Sequence, residues 1–110
     1  MDRAESLRQI ITFGEFREKA FTELVKFGCD SETALFEINL KILADILRMY
    51  ISGFITADDL EEWANFIECR DDVNYSKIED YIYAIANPEI MGEINVSKIT
   101  QMLKVLTTSS

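Results

Sequence analysis

The chain has no histidine, one proline (Pro88), four glycines and two cysteines in 110 residues. Without histidine it lacks the commonest general base and metal ligand of neutral pH. With so little proline and glycine, turn signals are few, which favours a small number of long helices over many short strands. Cys29 and Cys69 stand alone, without the paired spacing of a zinc site. The glycines form no phosphate-cradling loop. No apolar run approaches the length of a membrane span. The opening Met1-Asp2-Arg3-Ala4-Glu5 has no basic segment leading into an apolar one, so no signal peptide is expected. The two cysteines are then expected as reduced thiols of a cytoplasmic protein.

What the chain does hold is an ordinary apolar share, 48%, and a formal charge of −9. The length suits one domain over residues 1–110 with a single core, and the apolar content argues against disorder. A pI near 4.4 speaks against binding nucleic acid or an anionic membrane through charge. The charge is also localised. Between Ala57 and Glu93 stand eleven acids against two bases, Arg70 and Lys77, while the rest of the chain is balanced. One third of the sequence therefore carries the whole net charge.

The periodicity predicts an all-α fold, a compact single-domain bundle of four to five helices. A first helix is expected from about Arg3 to Phe27, bent or broken near Gly14, with Gly28 as its C-cap. Asp30 or Ser31 can cap a second, ending near Ile51. Within it Phe36 to Ile42 alternates like a strand, but Leu35, Ile38, Ile42, Ile46 and Tyr50 also make a helical stripe. The unbroken length to Tyr50 favours helix across residues 34–42. The third helix opens with the capping box Thr56-Ala57-Asp58-Asp59, flanked by the staple pair Ile55 and Leu60. Its core stripe is Leu60, Trp63, Ala64 and Ile67. Ser76-Lys77-Ile78-Glu79 reads as a second capping box, opening a helix with the stripe Ile78, Tyr81, Ile82 and Ile85. Asn87-Pro88 ends it. A fifth helix follows Asn95 on Ile99, Met102, Leu103 and Leu106, with residues 107–110 as a frayed tail.

An internal echo links Gly53-Phe54-Ile55-Thr56 to Gly92-Glu93-Ile94-Asn95, 39 residues apart. Gly-x-Ile before a helix cap also occurs in EF-hand calcium loops. Those loops need oxygen ligands before the glycine and a bidentate Glu six residues after it. Here Arg48, Tyr50 and Met91 interrupt the ligand positions, and Asp59 and Lys98 close them. Both segments are therefore read as connectors of the type helix, glycine, apolar residue, cap, helix.

No nucleophile or base stands out, so the protein is not expected to be an enzyme, and no metal or cofactor is assigned. Asp71 and Asp72 read as a solvated turn. Six acids, Asp58, Asp59, Glu61, Glu62, Glu79 and Asp80, fall in or beside a helix's first turn, where each gains roughly 0.3–1 kcal/mol from the dipole. The dipole does not explain why lysine and arginine are missing from the same helices, which forgo most opposite-charge pairs at i,i+4. Aromatics stand among these acids. Phe66 lies near Asp59 and Glu62, Tyr83 near Glu79 and Asp80, and Tyr75 lies in the loop between. Either Phe66 and Tyr83 complete a wide core stripe, or they anchor a partner. The candidate partner-binding residues are Asp59, Glu62, Phe66, Asp71, Asp72, Tyr75, Glu79, Asp80 and Tyr83.

The segment from Leu47 to Glu61, with Tyr50-Ile51-Ser52-Gly53-Phe54-Ile55-Thr56-Ala57 at its centre, resembles immunity proteins of the colicin D and contact-dependent-inhibition type. Those share an aromatic, apolar, small, Gly, x, Ile, Ser/Thr, Ala pattern. Trp63 to Asp72 and Ala86 to Ile90 extend the likeness to about half the chain. The resemblance implies an acidic bacterial helical bundle that binds a basic toxin domain, such as a nuclease, in the producing cell. The competing expectation is a structural or regulatory helical module whose interface is apolar, for example around Phe13, Phe16 and Phe21.

Overall fold

The structure, a computed structural model, describes residues 2–27 and 34–108. It is mostly helical, as expected. The one sheet among the described residues is a parallel pair of two-residue strands. The chain divides into two units: Met1–Glu37 with Cys69–Asn74, and Ile38–Glu68 with Tyr75–Ser110. No helix among the described residues is long and apolar enough to cross a membrane.

In the first unit, α1 (Arg3–Ile11) begins where Asp2 accepts a hydrogen bond from the Glu5 amide at 2.8 Å. That N-cap satisfies one of the amides a helix start leaves without a partner. Leu7, Ile10 and Ile11 share its buried face. The expected break occurs at residues 12–16, where Phe13 takes a left-handed φ of 53°. A Cβ on Gly14 would lie 2.0 Å from Gln9 Oε1, so only glycine fits there as the side chain stands. Gln9 in turn accepts from the Phe16 amide at 3.1 Å. The chain then reverses into α2 (Arg17–Leu24), which packs on α1 and buries Ala20 and Leu24. Arg17 fastens the corner, donating from Nε to the Ile10 carbonyl at 3.0 Å. Its guanidinium lies over the rings of Phe13 and Phe21, at 4.1 and 4.9 Å.

The expectation of helix across residues 34–42 is corrected. Phe36–Glu37 is β1, paired in parallel with β2 (Val73–Asn74) in the register Phe36 to Val73 and Glu37 to Asn74. Residues 40–42 are helical, as expected, and strand is confined to Phe36–Glu37. Gly28, Cys29, Asp30 and Ser31, invoked for a helix end, a thiol pair and a cap, lie outside the described residues. Cys69 is exposed and free.

The second unit begins its helices at α3 (Leu40–Ile51), capped by Asn39, which accepts from the Ile42 amide at 2.9 Å. This later start changes the buried face to Leu43, Ala44, Ile46 and Leu47, leaving Leu35 exposed and Ile42 and Tyr50 half-buried. α4 (Ala57–Glu68) has the expected reciprocal box. The Thr56 amide donates to Asp59 Oδ2 at 2.9 Å, and the Asp59 amide to Thr56 Oγ1 at 3.1 Å. Leu60, Trp63, Ala64 and Ile67 are fully buried, as expected.

At the second expected box, Ser76–Ile78 forms a 3-10 turn, after which α5 (Glu79–Ala86) begins. Asn87 closes α5 by donating its amide to the Tyr83 carbonyl at 2.8 Å. Pro88 then opens a four-residue α6 (Pro88–Met91), where its missing amide hydrogen costs nothing. α7 (Val96–Thr108) is capped by Asn95 and packs against α3. Its end is helical through Thr108 rather than frayed from Thr107. The hydroxyls of Thr107 and Thr108 donate back to the Leu103 and Lys104 carbonyls at 2.9 and 2.8 Å.

Both glycine connectors have the form read from the sequence. Gly53 and Gly92 take φ of 84° and 101°, each followed by a buried isoleucine and a capped helix. At the second, Lys98 Nζ donates to the Met91 and Gly92 carbonyls at 2.9 and 2.7 Å.

Candidate functional site

The sequence-derived site residues fall in both units. Asp71 and Asp72 belong to the first; Asp59, Glu62, Phe66, Tyr75, Glu79, Asp80 and Tyr83 belong to the second.

Asp72 is removed from the accessible surface. Its carboxylate is fully buried, and Arg70 grips it with two bonds of 2.8 Å, Nε to Oδ1 and Nη2 to Oδ2. Arg3 Nε adds a third, to Oδ2 at 2.8 Å, from 69 residues away. The main-chain carbonyl of the same residue accepts from the amides of Leu35 and Phe36, at 2.8 and 3.2 Å. Burial pushes this carboxyl upward, but the hydrogen bonds from Arg70 and Arg3 outweigh it and hold the pKa below the usual value. The expected solvated turn is therefore a structural ion cluster. Its charges require one another, since a lone buried carboxylate is strongly disfavoured. Asp71 beside it is exposed.

Within the second unit, α4 packs against α5. The buried stripe of α4 leaves Asp58, Glu62 and Asn65 on its exposed face, and α5 exposes Glu79, Asp80 and Tyr83. Tyr83 is 47% exposed, so it does not complete a core stripe. Phe66 and Tyr75 are half-buried. Asp59 is committed to its cap, which gives it a local structural task.

Asp58, Asp59, Glu79 and Asp80 fall in first turns, where the dipole favours them. Glu62 lies a turn further on and gains little there. It also stands four residues after Asp58, and both are exposed, a like-charge pair that costs roughly 0.2–0.5 kcal/mol. α4 and α5 together hold seven acids and no base; α3 and α7 together hold four bases and one acid. Arg3 and Arg70 pair with Asp72, Arg8 with Glu5, Lys26 with Glu23, and Lys41 and Arg48 with Asp45, carboxylates outside α4 and α5. At the head of α5, residues 76–81 line a polar depression of about 210 Å³ that includes Glu79 and Asp80.

Sequence reasoning missed the Arg3–Asp72–Arg70 cluster. Its one local hint was a lone arginine beside two acids, since the third partner is remote in sequence. No protein-family model, curated protein or solved structure matches the chain.

Proposed function

We propose that this protein is a non-catalytic inhibitor that binds a cationic protein domain through α4 and α5, as an immunity protein neutralises a toxin nuclease. The observation that carries the proposal is the exposed like-charge pair Asp58–Glu62, on a helix pair without a single base. Folding alone gains nothing from that pair, whereas a basic partner would relieve its repulsion. Charge would speed and orient the encounter, and Tyr83, half-exposed beside Glu79 and Asp80, would supply a desolvated anchor. Asp72 is left out of the contact set, and Asp59 contributes charge while holding its cap.

The test is association of the basic domain encoded immediately upstream, measured over a salt series. The on-rate should fall steeply with salt, and changing Glu62, Glu79 and Asp80 together to Gln should abolish most of that dependence. An unchanged rate in the triple variant would sink the proposal, as would an upstream gene of unrelated housekeeping type.

A second reading has its own support in the first unit. Phe16, Phe21, Val25 and Phe27 are all exposed, and Val25 is 83% so. A helical module with an apolar partner would use them. Binding lost on changing Phe16 and Phe21 to Ser, but kept in the triple Gln variant, would select that reading.

A further inference from the structure

The helix pair of opposite charge carries a groove of its own. Leu40, Lys41, Ala44 and Arg48 of α3 face Leu106 and Thr107 of α7 around an open space of about 270 Å³. Positions 40, 44 and 48 lie one turn apart on one side of α3. Ala44 projects only a methyl, and this small residue between Leu40 and Arg48 makes the depression. Its floor is Leu40, Ala44 and Leu106. Leu40 is partly exposed, so apolar surface there meets solvent.

Two cations edge this floor. Lys41 Nζ and Arg48 Nη1 both turn to Asp45, at 3.5 and 3.3 Å. Both contacts are long, and the side chains are 84% and 55% exposed, so neither cation is strongly held. Two positive side chains that line the trough therefore share one carboxylate, Asp45, over long contacts. We infer that the groove binds a medium-chain monocarboxylate. The carboxylate head would displace Asp45 from Lys41 and Arg48, and the alkyl chain would lie over Leu40, Ala44 and Leu106. A space of this size lies just below the lower end of small-molecule sites, about 300 Å³, which suits a short chain better than a long one. This site is independent of the acidic face and does not depend on the function proposed for it.

The probe is octanoate, with octanol and octylamine as equal-length controls, followed by amide chemical shifts of the intact protein. Octanoate should shift Leu40, Lys41, Ala44, Arg48, Leu106 and Thr107 with a Kd of about 1 mM. Octylamine should bind at least about tenfold more weakly, a difference of roughly 1.4 kcal/mol. Lys41→Glu with Arg48→Glu, both surface changes, should remove the preference for octanoate over octanol. Asp45→Asn should tighten octanoate about threefold by removing the competing carboxylate, an effect that a merely structural role for Asp45 would not produce. The inference is overturned if octylamine matches octanoate, if Asp45→Asn weakens binding, or if the shifts map elsewhere. It is also overturned if the same residues shift on dilution without ligand, for then a second copy of the chain occupies the groove.

Discussion

The first unit buries Ser6, Gln9, Arg70 and Asp72 alongside six apolar residues, whereas every side chain buried in the second, among the described residues, is apolar. The two are held by different physics. In the second, Trp63 and the isoleucines and leucines around it gain stability in proportion to the area they remove from water. That gain tolerates small shifts. In the first, Arg3, Arg70 and Asp72 have lost water and must recover it through bonds near 2.8 Å. Such a cluster is exacting: complete, it ties α1 to the segment that runs into β2; broken, it leaves buried charge short of its compensation.

The sharpest way to break the contrast is to remove one member of each core. Asp72→Ala should cost about 3–5 kcal/mol by removing the buried carboxylate that Arg70 and Arg3 share. Hydrogen exchange should show the loss first in α1, α2 and the β1–β2 pair. Trp63→Ala should cost a similar 3–5 kcal/mol through the cavity it leaves, with the loss beginning in α4 and α5. Uniform loss of protection in both variants would erase the distinction.

Acid should separate the units next. Asp72 has a lowered pKa in the fold, so its contribution is complete above the ordinary carboxyl value, near ~3.9. It is lost as pH falls from there through the lowered folded value. Glu5 acts in the same direction, since hydrogen bonds from Arg8 and then Gln9 bring it down to about 2. Amides of α1 should therefore lose protection below pH ~4 before those of α4, as a titration followed by exchange would report. Simultaneous loss would mean that the ion cluster adds nothing net. The smallest expected effect is at a cap: Asn39→Ala should cost about 1 kcal/mol, read as a lowered Tm, and Asn39→Asp far less.

Much of the second unit was legible because its signals are local. Thr56 and Asp59 bond within one turn, so the residues that announce the start of α4 also make it. Trp63 and its stripe follow from a 3.6-residue period that needs no knowledge of the neighbour. The acids of α4 and α5 were read from helical spacing, but spacing left Tyr83 between core and surface, and only the structure shows it 47% exposed. Within residues 34–42 the helix expectation held from Leu40 and failed at Phe36 and Glu37, for the opposite reason. Phe36 and Glu37 are strand because Val73 and Asn74 lie beside them, and a short apolar stretch carries both periods. The second helix start is shifted: the chain enters α5 through a 3-10 turn, which places Glu79 at the start of the α-helix.

By itself the sequence determined the helical class, the breaks near Gly14 and Asn87, both glycine connectors and the concentration of acids on one helix pair. Each is set by residues within a few positions of one another, where backbone sterics and capping act without the rest of the chain. Only tertiary structure decided that Asp72 belongs to a core, that Phe36 pairs with Val73, and that Lys41 and Arg48 edge a groove closed by Leu106. Those outcomes depend on contacts between residues tens of positions apart, and whether a charge is buried or solvated is settled by what comes to lie against it.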